Sequence, residues 1–215
     1  MVSDEKQPFL SHLEELRKRL IACAIAVGVG FVGCYIFSER LFQLLIAPLT
    51  KVMPEGNHLI FTNLPEMFIT YLKVSFVAGI LLTAPFIFYQ LWMFVAPGLY
   101  KHERKWILPI AFFSAFFFTA GALFGYLVVF PFAFKFFISF TTELIRPMPS
   151  LREYLSFTIK MLIAFGVAFE LPLFIFFLAR FGIVTSSGLR KKRKYAILFA
   201  FIVSAVLTPP DVVSQ

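Results

Sequence analysis

Two carboxylates, Glu15 and Glu103, sit inside basic stretches of the sequence. Glu15 precedes Arg17-Lys18-Arg19, and Glu103 lies between Lys101-His102 and Arg104-Lys105. A carboxylate accepts hydrogen bonds through two oxygens. A guanidinium offers a planar fork that fits them bidentately, which an ammonium cannot match. Two such acids on one face could receive two guanidinium groups. Charge balance with the adjacent Lys and Arg side chains explains the same pattern, and spacing alone favours it. A third acid, Glu170, lies within an apolar run just before Leu171-Pro172. A carboxylate at membrane depth is costly unless it is paired, hydrated or protonated. Pro172 frees a backbone carbonyl, so a polar pocket or a polar partner helix is expected around Glu170. The structural alternative is a Glu satisfied by water and neighbouring hydroxyls. Lys160 cannot pair with it within one helix, being about 15 Å away along the axis.

Other chemistry lacks its residues. There is no P-loop and no G-x-S-x-G elbow. His102-Glu103-Arg104-Lys105 lacks the second histidine of a zinc motif, and His12, His58 and His102 have no ligand spacing. The serines of the apolar runs have no histidine paired with them. No catalytic residues, metal ligands or cofactor site are expected, and the chain is not read as an enzyme. Cys23 and Cys34 lie roughly 16 Å apart along one helix and cannot bridge within it.

The elements that position these acids are membrane-spanning. Of the 215 residues, 60% are apolar and 15% charged, where a soluble domain carries about 25% charged residues. The 31 phenylalanines exceed what one aqueous core of this size needs. The net charge of +8 is distributed in short runs between apolar blocks, the pattern of membrane topology rather than of a nucleic-acid face. The fold class is an all-α polytopic transmembrane bundle, a single domain over 1–215. Residues 1–19 read as a cytoplasmic amphipathic helix on the membrane surface, with Phe9, Leu13, Leu16 and Leu20 on one face and i,i+4 pairs Glu14/Lys18 and Glu15/Arg19. It runs into a first span, Leu20–Phe37, that does not resemble a cleaved signal peptide. Further spans are expected at Val74–Tyr100, Trp106–Phe134, Tyr154–Ala179 and Tyr195–Leu207. Gly121-x-x-x-Gly125 in the third could admit a close neighbour. Residues 38–73 and 135–153 read as outer loops, the first containing short helical segments such as Arg40–Ala47 and Glu66–Tyr71. Residues 101–105 and 181–194 read as inner loops.

The loops alternate in charge. Lys6, Arg17, Lys18 and Arg19, then Lys101, Arg104 and Lys105, then Arg180 with Arg190–Lys194 form one strongly basic set. The intervening loops are nearly neutral. The basic set, and with it the amino terminus, is placed in the cytoplasm. Five spans follow. The fifth is short, rising about 24 Å from Tyr195 to Pro210 against a hydrocarbon core of about 30 Å. A locally thinned bilayer or tilted neighbours would accommodate it.

Several motifs in order resemble one family. They are Phe9-Leu10-Ser11-His12-Leu13-Glu14-Glu15-Leu16-Arg17-Lys18-Arg19-Leu20, Ala47-Pro48-Leu49, Ala84-Pro85-Phe86 and Tyr89-Gln90-Leu91-Trp92. Next come Phe94-Val95-Ala96-Pro97-Gly98-Leu99-Tyr100-Lys101-His102-Glu103-Arg104, then Phe130-Pro131 and Tyr154-Leu155. The last are Ala164–Pro172, Leu189-Arg190-Lys191-Lys192-Arg193 and Leu207-Thr208-Pro209-Pro210-Asp211. Together they resemble the TatC family of the twin-arginine protein translocase, along essentially the whole chain.

The resemblance implies a concave helical bundle in the bacterial inner membrane that receives twin-arginine signal peptides and exports folded proteins. It implies TatA and TatB as single-span partners, contact with lipid, self-association and transport driven by the proton-motive force. It implies signal-peptide binding by Glu15 and Glu103, with Leu16, Arg17, Phe94, Pro97, Leu99 and Lys101 tied to that site. Glu170 corresponds to the polar residue of the concave face. Pro48 corresponds to the capping outer loop, and Asp211 to the turn after the fifth span. The family has six spans, and the five read here are expected to reflect a shortened chain. Two rival readings are a small-solute transporter using Glu170 as a proton or ion site, which usually carries internal repeats not seen here, and a scaffold that tolerates substitution of Glu15 and Glu103.

Overall fold

The computed structural model describes residues 6–53, 59–60, 63–95, 107–140, 148–180, 182 and 184–207. Among these, regular structure is helical. α1 (Lys6–Ile36) is followed after one turn by α2 (Ser38–Thr50). Nothing between Phe9 and Val27 breaks a helix, so the expected surface segment and the first span are one uninterrupted helix of 31 residues.

The stretch expected to be an outer loop is largely helical. α2 occupies its first third, with Pro48 inside the helix. α3 (Glu66–Val95) begins eight residues before the expected second span. At its start the Asn63 N–H donates to Glu66 Oε2 at 3.3 Å, the N3-carboxylate half of a capping box, and the Glu66 N–H donates to the Asn63 backbone carbonyl at 3.0 Å, closing a turn.

α4 (Ile107–Phe124), a π-helical turn over Gly125–Val129 and α5 (Phe130–Ile138) form one apolar run. α6 (Leu151–Arg180) ends at Gly182, whose φ of 72° suits glycine. The Gly182 and Val184 N–H groups donate to the Ala179 and Leu178 carbonyls, closing the helix end. Thr185 then caps α7 (Ser186–Leu207) by accepting the Gly188 N–H at its Oγ1, 3.2 Å away. The basic run Arg190–Lys194, expected in a loop, is therefore helical.

Among the described residues, four helical runs are long and apolar enough to cross a membrane: Ser11–Ile36, Glu66–Val95, Ile107–Ile138 and Leu151–Arg180. The expected fifth, α7, falls short because its basic run leaves only Tyr195–Leu207 uncharged. Phe112, Phe116, Leu127 and Phe132 are exposed, as a lipid-facing surface requires. The chain is a multi-pass membrane protein.

The chain divides into two compact units, residues 1–42 with 71–116 and residues 43–70 with 117–215. In the first, α1 crosses α3 at two glycines. A Cβ on Gly79 would lie 2.7 Å from the Phe31 nitrogen, and one on Gly30 would lie 3.0 Å from the Gly79 carbonyl oxygen. Buried Trp92 of α3 donates its indole N–H to Ser114 Oγ of α4 at 3.0 Å, satisfying both polar groups in an apolar interior.

In the second unit, Gly121, Gly125 and Gly166 let α4 and α6 approach. A Cβ on Gly121 would meet the Phe165 carbonyl and the Phe169 ring, and one on Gly166 the Phe118 ring. The glycine pair Gly121/Gly125 is thus a packing surface within the chain. Phe130, Phe134, Tyr154 and Phe157 form an aromatic cluster. At the start of α6, Ile60 and Ser150 form an isolated parallel bridge. Buried Glu66 also accepts the Arg152 N–H at Oε1, 2.8 Å away.

Candidate functional site

Helical geometry puts His12, Glu15 and Arg19 on one face of α1, since residues three and four apart are neighbours. Arg19 donates Nε to Glu15 Oε1 at 3.1 Å, and its Nη2 donates to the same oxygen. The other carboxylate oxygen, Oε2, lies 4.0 Å from His12 Nδ1. The Glu15/Arg19 pair expected from spacing is formed, and it balances the charge of Glu15 locally.

α3 completes the site within the same unit. Gln90 and Phe94 lie one turn apart near its end. Gln90 Oε1 accepts Arg19 Nη1 at 3.1 Å, and the Phe94 ring stacks on His12 with centroids 4.3 Å apart and planes 18° from parallel. Glu15 is thus held between a guanidinium anchored at both ends and an imidazole fixed by an aromatic face. The Arg19 side chain is 19% exposed and that of Glu15 32%, so the pair is shielded more than a fully solvated one yet remains reachable.

Of the residues assigned to this site, Glu15 and Phe94 are joined through His12. Leu16 is half-buried and Arg17 exposed. Arg17, about 200° around the helix from Glu15, points to the other side. Pro97, Leu99, Lys101 and Glu103 lie outside the described residues, as does Asp211. His12 and Gln90 are partners that sequence reading did not select, whereas the Arg19 contact was expected. The 12/15 spacing was a usable signal for His12. Gln90 carried only the weak signal of a polar side chain in an apolar run.

Glu170 belongs to the second unit. It continues the buried stripe Thr158–Leu162–Gly166 of α6 and is 6% exposed, with Pro172 half a turn beyond.

Pro48 is buried and helical, which corrects its assignment to a loop. A proline inside a helix deprives the carbonyl four residues earlier of its donor. Here that carbonyl, Leu44 O, accepts the Tyr126 hydroxyl at 2.5 Å. Leu45 O accepts the Tyr154 hydroxyl at 2.6 Å. The Tyr126 hydroxyl of the π-helical turn thus supplies the donor that Pro48 takes from Leu44, while Tyr154 adds a bond to a carbonyl that Pro48 does not affect.

The family model described as Sec-independent protein translocase protein (TatC) matches residues 11–215. A Sec-independent protein translocase protein TatC of Desulforapulum autotrophicum is 55% identical over 212 residues, covering 99% of this chain and 78% of the relative. The Escherichia coli K12 protein of the same name is 43% identical over 215 residues, covering 100% and 83%. A crystal structure of a twin-arginine translocase receptor, TatC, in DDM superposes with a TM-score of 0.87 at 38% identity, covering 95% of this chain and 91% of that one.

Proposed function

The chain belongs to the TatC family of Sec-independent protein translocase proteins, and from that premise we propose that it is the receptor that binds twin-arginine signal peptides. A translocase component of this family is a transport protein, not an enzyme. Glu15 and Glu103 each take one guanidinium of the arginine pair. The hydrophobic run of the signal peptide packs against the spans. The basic loops and the amino terminus face the cytoplasm of a bacterial inner membrane. Occupancy recruits the single-span partners TatA and TatB, and export of folded cargo is driven by the proton-motive force, in keeping with a sequence that has no P-loop.

The observation that supports this reading most directly is the Glu15 carboxylate, which already holds a guanidinium through two N–H groups beside the His12–Phe94 stack. The contact is one in which this carboxylate accepts guanidinium N–H groups, the chemistry an arginine ligand needs, with Arg19 as its resident partner. Charge-assisted hydrogen bonds of this kind contribute about 1.5–3 kcal/mol each. The test is site-specific photocrosslinking to a signal peptide carrying Arg-Arg or Lys-Lys. Crosslinking is expected with Arg-Arg, weaker with Lys-Lys, and lost in both Glu103→Ala and Glu103→Gln. Full crosslinking retained by Glu103→Gln would remove charge pairing from the mechanism.

A further inference from the structure

We propose that Arg19 is an internal competitor for Glu15, a resident guanidinium that an arriving arginine replaces or joins more readily than a lysine does. The proposal rests on the receptor reading above and adds how the site is kept selective before a peptide arrives.

The geometry has three parts. Arg19 commits Nε and Nη2 to one oxygen of Glu15. It commits Nη1 to Gln90 on α3, 71 residues away in sequence. His12, locked on Phe94, stands 4.0 Å from the second carboxylate oxygen. Glu15 is thus not an open anion. A cation that reaches it must replace Arg19 or share the carboxylate with it.

Replacement is balanced only for a ligand of the same shape. An incoming guanidinium re-forms the forked contact that Arg19 gives up. An ammonium is a compact charge that does not reproduce the fork, and it is more strongly hydrated. The displaced Arg19 is not stranded, because Gln90 still accepts one of its N–H groups. Gln90 therefore lowers the cost of exchange by holding the leaving side chain. The contact acts as a filter: it weakens every cation's access to Glu15, and weakens an ammonium's access more.

The experiment measures binding of fluorescently labelled Arg-Arg and Lys-Lys signal peptides to the full chain in lipid nanodiscs, by anisotropy. The variants are Arg19→Gln, which empties Glu15, and Arg19→Lys, which keeps the charge but loses the fork. Lys18→Gln makes the same change in net charge as Arg19→Gln without touching the pair. In Arg19→Gln the Lys-Lys peptide is expected to bind about tenfold more tightly and the Arg-Arg peptide to gain less, so selectivity falls. Arg19→Lys should give an intermediate ratio, and Lys18→Gln the wild-type ratio. An unchanged ratio in Arg19→Gln, or equal weakening of both peptides, would overturn the proposal and make Arg19 a positioning residue for Glu15. An equal shift in Lys18→Gln would overturn it in favour of net charge. The receptor reading fails separately: wild type would bind both peptides alike, and Glu15→Gln would change neither.

Discussion

At Pro48 a missing N–H and a distant hydroxyl meet. The Leu44 carbonyl has no backbone donor because residue 48 is proline, and Tyr126 supplies one from another element. A hydrogen bond of this kind contributes about 0.5–1.5 kcal/mol net. Tyr126→Phe should therefore destabilise the protein by about 0.5–1.5 kcal/mol in unfolding by denaturing detergent. Pro48→Ala restores the N–H one turn below Leu44, so the same tyrosine substitution in that background should cost measurably less. Equal costs in the two backgrounds would show that the hydroxyl and the proline are not linked. The proline was legible in the sequence as a residue of note, but only as a loop residue. Its partner Tyr126 was not legible, because it lies 82 residues from the carbonyl it serves. The Glu15 site divides in the same way. Its Arg19 contact is local and followed from helical spacing, whereas the Gln90 contact required knowing that α3 runs beside α1.

Helix centres were readable from the apolar blocks, and helix ends less so. The short helical segment read at Glu66–Tyr71 is the first part of α3, whose start Glu66 caps by accepting the Asn63 N–H while it also serves the first turn of α6. The sequence marked where this helix begins, but not that it runs on unbroken into the span. α7 begins early because Lys and Arg are good helix formers, so a basic run read as a loop continues a capped helix. Helix pairing depends on glycines that look alike in sequence. Gly28, Gly30 and Gly33 share α1, yet an added Cβ meets nothing within 4 Å at Gly28 and Gly33, and meets the backbone of α3 at Gly30. Gly28→Ala and Gly33→Ala should each stabilise by about 0.5–1 kcal/mol, the ordinary gain from replacing a helix-interior glycine. Gly79→Ala should destabilise by about 1–3 kcal/mol, because the atom it meets is backbone and cannot rotate away. Thermal unfolding of the three variants in one detergent separates the cases. A stabilising Gly79→Ala would mean that α1 and α3 do not approach at that point.

For the whole molecule the open physical issue is whether α7 crosses the bilayer. Its apolar stretch Tyr195–Leu207 rises only about 20 Å, but the helix from Ser186 has 22 residues and rises about 33 Å, close to the hydrocarbon thickness. The difference is filled by Arg190–Lys194, whose long aliphatic stems can lie along the core edge while their charges reach the inner headgroups. On that account α7 spans, held at its inner end by five adjacent cations. With the basic loops cytoplasmic, as proposed above, Ser187 would lie inside and Leu207 outside. An alkaline phosphatase reporter, active only outside the cytoplasm, should be inactive when fused after Ser187 and active when fused after Leu207. Replacing Arg190, Lys191, Lys192, Arg193 and Lys194 with glutamine should cut the activity of the second fusion severalfold, because the cations that anchor the short apolar stretch are gone. Activity lost from the second fusion in the unaltered chain would place α7 along the membrane surface and leave four crossings.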